Sequence, residues 1–343
     1  MSGHRPSREG TPDIPQAPAS GTRGCKDEPV GGSTRSEDAP PAGVPASERV
    51  ALPPTRELAL LAVAISAVST SAPIIASTAA PTLAIAFWRN GMASIVLLPV
   101  ALIRARTELR TLARREWLLC LGAGGFLAAH FATWVPSVRL TSVASATALV
   151  ATQPVWAALL ARVAGRRVSA GIWLGILVSV SGAALLTGVD FSLSGRALLG
   201  DLLAIVGGAL AAAYVTVGAA VRVRVSTTAY TFVCYGSCSA LLLLVCLLGR
   251  QQLAGYDPPT WLRLAALTIG AQLLGHSLVN VVLRTVSPTV VSLAILFEVP
   301  GAGIIAAVWL GQLPARSALP GLVLLLAGVG LVIRAGARAV PVE

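Results

Sequence analysis

From residue 57 onward, long apolar runs alternate with short polar gaps at nearly regular intervals. Each run is close to the roughly 20 residues that an α-helix needs to cross a hydrocarbon core. Prolines, glycines and arginines concentrate in the gaps, as in Arg139–Ser142 and Pro258–Pro259. The pattern predicts ten membrane-spanning helices, near 57–79, 81–103, 117–137, 142–162, 169–188, 198–219, 228–249, 261–283, 289–310 and 315–335.

The apolar part of the chain repeats itself at a spacing of 146 residues. Two of the three histidines, His130 and His276, share this register. The other matched positions are mainly glycines and prolines: Gly124 and Gly270, Pro154 and Pro300, Gly165 and Gly311, Gly175 and Gly321, and Gly182 and Gly328. Two copies of a membrane bundle in one chain are typical of a transporter, with the substrate site between the copies.

Ten spans in two copies leave five spans in each copy, so the second copy must start on the opposite side of the membrane. We therefore expect an all-α membrane protein of two inverted five-helix repeats, at residues 56–188 and 197–336, preceded by a disordered tail. His130 then falls in the outer half of its helix and His276 in the inner half. Pro154 and Pro300 fall near the midplane, where each proline predicts a helix bend because it lacks an N–H group.

Residues 1–55 are rich in Pro, Gly, Ser and Thr and show no apolar periodicity. Such a segment cannot bury a core, so we expect a disordered cytoplasmic tail.

The orientation of the spans follows from arginine, which concentrates in cytoplasmic loops. With the N-terminus inside, the inner loops and the C-terminal end hold the larger set: Arg104, Arg106, Arg110, Arg114, Arg115, Arg162, Arg166, Arg167, Arg222, Arg224, Arg284, Arg334 and Arg338. The outer loops hold only Arg139, Arg196, Arg250, Arg263 and Arg316. We expect a multi-pass protein of the cell membrane with both termini in the cytoplasm.

The composition agrees with a chain that lies mostly in lipid. Of 343 residues, 55% are hydrophobic and 12% are charged, whereas soluble domains carry roughly 25% charged residues. The net charge of +11 lies in the gaps between apolar runs, which suits anionic lipid and argues against nucleic acid. The cysteines show no C-x-x-C spacing, so we predict neither a metal site nor a disulfide framework, and no cofactor.

Several stretches resemble a known family. The second predicted helix carries an arginine in APTLAIAFWRNGMAS (80–94), and small residues dominate GDLLAIVGGALAAAYVTVGAAVR (200–222). Central prolines among small residues mark TSVASATALVATQPVWAALLARVAGRRVS (141–169) and SPTVVSLAILFEVPGAGIIAAVWLGQLP (287–314). Over residues 57–335 the chain is similar to the drug/metabolite transporter superfamily, in particular its ten-helix EamA-type members. It departs from the frequent Gly-Glu step of helices four and nine, because Arg166 and Gln312 follow the glycines here.

Arg89 and Glu298 are the only charged side chains that fall well inside the predicted spans. A central arginine costs roughly 2.5–3.5 kcal/mol on insertion scales, so both residues should face protein or water. Arg89 is a candidate for binding a substrate carboxylate or phosphate; the alternative is a structural arginine that binds helix-end carbonyls.

Glu298 precedes Pro300, which should free the carbonyl of Leu296 and bend the helix. A bent helix at the midplane exposes backbone carbonyls to a cavity, where a cation or an ammonium group could bind. Desolvation favours the neutral acid, so Glu298 is also a candidate for cycling a proton. The alternative is an internal ion pair, for example with Arg89. The repeat mate of Glu298 is Thr152, so any coupling would be asymmetric.

Other polar residues complete the candidate site. His130 and His276 would shuttle protons or bind substrate, or alternatively form interhelical hydrogen bonds. Trp134 and Asn280 lie one turn beyond the two histidines, and Tyr214 and Gln153 would line the same cavity. Trp88 and Trp156 are more typical of packing or of the lipid interface.

We therefore predict a secondary transporter, an exporter by family resemblance, of a small polar metabolite such as an amino acid. It would work by alternating access and could be coupled to protons, as a monomer or a homodimer in the lipid bilayer. No Walker motif is present, so we expect that the chain does not hydrolyse ATP on its own. An integral membrane enzyme is disfavoured because no catalytic residues cluster at one depth. The alternative is a scaffolding membrane protein without transport activity, against which the buried charges argue.

Overall fold

The structure is a computed structural model that describes residues 55–165, 167–282 and 294–338. Side chains at 187–193, 277, 280 and 336–338 are not described. The predicted tail therefore lies outside the described residues apart from Thr55, and it stays a prediction. The predicted limits of the two repeats also stay a prediction.

All regular elements of the described residues are helical. The α-helices are α1 (Thr55–Ser69), α2 (Ser71–Ser77), α3 (Thr82–Arg104), α4 (Arg106–Thr111), α5 (Arg114–Leu140), α6 (Val143–Val150), α7 (Gln153–Val163), α8 (Ala170–Leu193), α9 (Gly195–Arg222), α10 (Thr227–Leu248), α11 (Pro258–Leu267), α12 (His276–Val282), α13 (Glu298–Leu310) and α14 (Leu319–Arg338). A π-helical segment, Thr268–Gly275, joins α11 to α12, and a short 3₁₀ turn, Arg316–Ala318, precedes α14.

Seven helical stretches in the described part are long and apolar enough to cross a membrane: Thr55–Ser77, Thr82–Arg104, Arg114–Leu140, Val143–Val163, Gly195–Arg222, Thr227–Leu248 and Arg316–Ala335. The other three predicted spans correspond to shorter or interrupted helices. Ala170–Leu186 and Glu298–Leu310 are apolar but short, and the run at 261–283 is divided by its π-helical segment. The protein is an all-helical membrane protein in its described residues.

The sequence predicted a helix bend at each of the two central prolines, and the bend stays a prediction. Next to each proline the regular α-helix is interrupted, at Ala151–Thr152 and at Leu296–Phe297, and the second half-helices begin at Gln153 and Glu298. Pro154 and Pro300 lie in the first turns of α7 and α13, where a missing N–H removes no helical hydrogen bond. Ala151 and Phe297 are 146 residues apart, so the two breaks overlap in the sequence repeat with an offset of one residue.

The sequence predicted that Pro300 frees the carbonyl group of Leu296, but the carbonyl groups at these breaks accept hydrogen bonds. The Leu296 oxygen accepts a hydrogen bond from the Val299 amide at 3.2 Å. At the other break the Thr152 hydroxyl donates to the Leu149 oxygen at 2.7 Å. Local donors thus satisfy the backbone where each helix is interrupted, which a membrane interior requires.

Helices from the two halves of the sequence pack against each other in pairs. The α5 helix packs on α9, α3 on α10, α6 on α13 and α8 on α14. The π-helical segment packs on α1. Each pair takes one member from residues 55–193 and the other from residues 195–338, so neither half forms its core alone.

The repeated glycines form the contact between α8 and α14. An added Cβ at Gly175 would meet the Gly328 oxygen at 2.9 Å, and one at Gly182 would meet the Gly321 oxygen at 2.9 Å. As α8 runs forward, its contacts on α14 run backward, so the two helices are antiparallel. Gly321 and Gly328 are the repeat mates of Gly175 and Gly182. The two contacts are therefore the same contact seen from either copy, as a two-fold axis between the helices requires.

The glycine contact between α8 and α14, here called the seam, gives a stability prediction. A methyl group at Gly182 would lie 2.3 Å from the Leu325 nitrogen, and one at Gly328 would lie 2.3 Å from the Ser179 nitrogen. Overpacking of this kind costs about 1–3 kcal/mol, so we expect Gly182→Ala and Gly328→Ala to lower the melting temperature in detergent by similar amounts. Gly330→Ala is the matched control, because that site on α14 is open and alanine favours helix. Unchanged melting of both seam variants would contradict the packing.

Candidate functional site

Arg89 lies in α3 and is only 1% exposed. Its Nε atom donates to the Gln272 Oε1 atom at 2.5 Å. The Nη1 atom donates to the Ser71 hydroxyl at 3.1 Å, and the Nη2 atom lies 3.3 Å from the His276 Nε2 atom. The guanidinium carbon lies 4.5 Å from the centroid of the Phe131 ring. One side chain thus joins α3 to α2, α5, α12 and the π-helical segment.

All of these partners are neutral or aromatic groups. The hydrogen bonds replace part of the lost hydration, and the Phe131 ring face adds a cation–π attraction. Within the described residues no acidic group lies within ion-pair distance of Arg89. The charge is therefore held in place without being neutralised by a carboxylate.

The π-helical segment positions two of these partners. Gln272 lies within it and is fully buried, whereas His276 follows it directly and is exposed. A π-helical turn widens the backbone spiral and is frequent at functional sites. Here it presents an amide and an imidazole to the same guanidinium group.

His130 lies close to the same cluster. Its Nδ1 atom is 2.9 Å from the Gly207 oxygen on α9, and its ring stacks on Trp134 with 5.8 Å between centroids. The adjacent Phe131 ring is 4.9 Å from the His130 ring and lies under Arg89. The sequence placed the two histidines in opposite halves of the bilayer. These depths stay a prediction; in the structure His276 contacts Arg89 directly, and the helix of His130 contacts it through Phe131.

Glu298 begins α13 at the second helix break and is partly buried. Its carboxylate makes no hydrogen bond or ion pair within the described residues. The predicted alternative, a direct ion pair with Arg89, is therefore not formed, although the two charges interact electrostatically. Glu298 is a hydrogen-bond acceptor in the first turn of α13, directly after the helix break.

The remaining predicted residues occupy different surroundings. Trp134 is 5% exposed, and its indole nitrogen has no hydrogen-bond partner in the described part of the chain. Tyr214 on α9 is partly buried beside Tyr230 of α10, and Gln153 is a partly buried residue at the start of α7. The Asn280 side chain lies outside the described residues. Within the described residues, no group of three His, Cys, Asp or Glu residues is placed to hold a metal ion.

Trp88 and Trp156 lie partly buried among neighbouring residues. The Trp88 indole donates to the Leu253 oxygen at 2.8 Å and meets the Trp261 ring edge-on at 5.0 Å. Trp88 therefore anchors the loop that precedes α11. Trp156 is partly buried on α7.

Sequence reasoning missed Gln272, Ser71 and Phe131. The one usable signal was Gln272, a lone amide within the apolar run at 261–283. It also passed over Asp201, which lies near the start of α9 and is fully buried.

Comparison with known proteins decides the family. The model of the EamA-like transporter family matches residues 57–188 and 198–334. The chain belongs to the EamA-like transporter family. It is therefore a membrane transporter of the drug/metabolite type, built from two EamA repeats.

Fifteen chains of solved structures match this EamA-like protein. One of them, described only as the crystal structure of a protein, is 18% identical with a TM-score of 0.59. The match covers 81% of the EamA-like chain and 96% of the other chain. At this identity the likeness concerns the fold. No curated protein matches in sequence.

The Arg89 cluster gives a second stability prediction. In Arg89→Lys the positive charge remains, but a single ammonium replaces the planar fork of donors. It cannot reach Gln272, Ser71 and His276 together, and each lost hydrogen bond to a charged group is worth about 1.5–3 kcal/mol. We expect a clearly lower melting temperature in detergent. Arg104→Lys, at the exposed end of the same helix, is the matched control and should melt like the wild type. Equal effects of the two changes would contradict the cluster's structural role.

Proposed function

We propose that this EamA-like protein is a secondary exporter of a small zwitterionic metabolite, such as an amino acid, and that it works by alternating access coupled to protons. The observation that carries the proposal is the pair of unneutralised charges inside the bundle. Arg89 comes from the first EamA match and Glu298 from the second, and they form no ion pair with each other.

Arg89 is the proposed partner of the substrate carboxylate. Its hydrogen-bond partners Gln272, Ser71 and His276 fix the orientation of the guanidinium group while leaving its charge uncompensated. A guanidinium group has five N–H donors. Here Nε, Nη1 and Nη2 each direct one N–H group to a partner. The two remaining N–H groups can bind a carboxylate, which would supply the missing negative charge.

Glu298 is the proposed partner of the substrate ammonium group or of a proton. Its position at a helix break, with no hydrogen bond in the described part, leaves both carboxylate oxygens available. The repeat mate Thr152 is neutral, and its hydroxyl is already bonded to the Leu149 oxygen. Protonation would therefore change the charge in one repeat only, and coupling requires that the surroundings of Glu298, and with them its proton affinity, differ between the two access states.

Alternating access requires two bundles that move around one site. The antiparallel glycine contacts between α8 and α14 support an inverted arrangement of the repeats, with ten spans divided five and five. Helix breaks at overlapping positions in the two repeats support a site between the repeats, because interrupted helices line transporter sites near the midplane.

The excess of arginine in the inner loops supports cytoplasmic termini in the cell membrane. The export direction is proposed from the family resemblance alone.

The alternative of a scaffolding protein is less favoured. A scaffold would gain nothing from a buried arginine that lacks a carboxylate partner, since apolar residues of similar volume often pack with equal stability. The cluster around Arg89 therefore supports a function that uses its charge.

Transport by purified protein in liposomes tests the coupling role of Glu298. The probes are radiolabelled amino acids tested one at a time, with a matched carboxylic acid and amine for each. We expect Glu298→Gln to keep substrate exchange between the two sides but to lose stimulation by a pH gradient, because the glutamine cannot release a proton. Asp257→Asn, on an exposed loop, is the control and should keep both activities. A pH-driven response in Glu298→Gln would rule out this residue as the coupling group.

The topology has its own test by cysteine labelling in intact cells. With Cys25→Ser as background, the described native cysteines are buried. An impermeant thiol reagent should label Arg250→Cys from outside and should leave Thr107→Cys unlabelled until the cells are opened, since both sites are exposed, Arg250 in a turn and Thr107 in the short helix α4. Labelling of Thr107→Cys in intact cells would overturn the proposed orientation.

A further inference from the structure

The short segment between α3 and α5 lies at one surface of the membrane. The α3 span ends at Arg104 and the α5 span begins at Arg114, and both are long and apolar enough to cross the bilayer. The helix between them, α4, therefore lies on the side of the membrane where the α3 span ends and the α5 span begins. Trp117 in the first turn of α5 is 36% exposed, and exposed tryptophan is typical of the membrane interface.

This segment carries an excess of positive charge that the protein does not neutralise. Its five arginines are Arg104, Arg106, Arg110, Arg114 and Arg115. None of them has a hydrogen bond or an ion pair in the described part of the chain, and all five are exposed. A partner for these charges must come from outside the described residues.

The two acidic residues of the segment are already engaged. Glu108 accepts hydrogen bonds from the Ser226 amide at 2.6 Å and from the Ser226 hydroxyl at 2.5 Å. Glu116 accepts from the Ala113 amide at 2.9 Å. Both carboxylates bind groups at helix N-termini, where their charge is favourable. The two carboxylates are thus bonded to Ser226 and Ala113, and they do not neutralise the positive charge of the arginines.

Two of the arginines border a groove that also has apolar walls. Arg106 and Arg110 line it together with Leu102 and Leu109. Leu102 is 54% exposed and the neighbouring Ile103 is 81% exposed, so the end of α3 presents an apolar surface directly beside the charges. Guanidinium groups bind phosphate oxygens well, and the leucines suit an acyl chain.

We propose that this groove binds an anionic phospholipid, with the phosphate between Arg106 and Arg110 and an acyl chain against Leu102. The inference rests on the membrane location of the chain and not on the proposed transport chemistry. An acidic headgroup supplies the missing negative charge, and only a ligand with both parts fills a groove that is half charged and half apolar. The bound lipid would also hold α4 against the membrane, and with it the Glu108–Ser226 contact to α10.

The test compares the full chain with Arg106→Gln/Arg110→Gln in phosphatidylglycerol binding measured by native mass spectrometry. An arginine near an anionic surface is worth about 1 kcal/mol, so removal of two should weaken the apparent affinity at least tenfold. Phosphatidylcholine should bind both proteins equally. Melting of the double variant in phosphatidylcholine nanodiscs should match the wild type, because neither arginine has a partner within the described residues.

Matched controls decide between a site and diffuse charge. Arg162→Gln/Arg167→Gln removes the same charge from exposed positions near the end of α7 and should keep wild-type binding of phosphatidylglycerol. An equal loss in this control would overturn the site. Leu102→Gln should weaken lipid binding while the arginines remain. Inorganic phosphate and glycerol 3-phosphate should fail to compete at lipid concentrations; effective competition by either would assign the groove to a soluble phosphate and overturn the lipid.

Discussion

Burial of one guanidinium group organises the centre of this bundle. An ion transferred from water into protein loses several kcal/mol of hydration free energy unless new hydrogen bonds replace it. Arg89 recovers them from Ser71, Gln272 and His276, which lie on three different helical elements. Those elements must therefore converge on α3, and two of them do so at irregular backbone: α2 follows an interruption at Thr70, and Gln272 lies in a π-helical segment.

Close packing at glycines joins α8 and α14, away from the polar residues around Arg89. At the seam between α8 and α14 the backbones approach so closely that a Cβ at Gly182 would overlap Leu325. Lipid tails are as apolar as leucine, so such close contact is what drives helices together in a membrane. The seam is uninterrupted, whereas α6–α7 and the region before α13 are broken near the candidate site. Glu298 lies at the break before α13, whereas Arg89 lies on the continuous helix α3.

Sequence reasoning found the two charges but not their surroundings. Arg89 and Glu298 stood out because ionised groups are rare in apolar spans. The ion pair between them, which the sequence left open as an alternative, is not formed within the described residues, because pairing depends on distances between helices that no local pattern contains. Ser71 and Phe131 were missed for the same reason: a serine and a phenylalanine in apolar helices are ordinary until the fold places them beside a guanidinium group. The prolines predicted irregular backbone, but whether the helix bends or breaks depends on which neighbours satisfy its carbonyl groups.

The sequence by itself determined the membrane class, the family and the two-fold repetition, because the length of apolar runs and the spacing of glycines are local properties of the chain. Only the tertiary structure decided which helices meet, where they break and what holds Arg89. Hydrogen bonds such as Arg89 to Gln272 join residues that lie far apart along the chain. Their geometry follows from the packing of whole helices, and the free energy of burying a charge depends on that geometry.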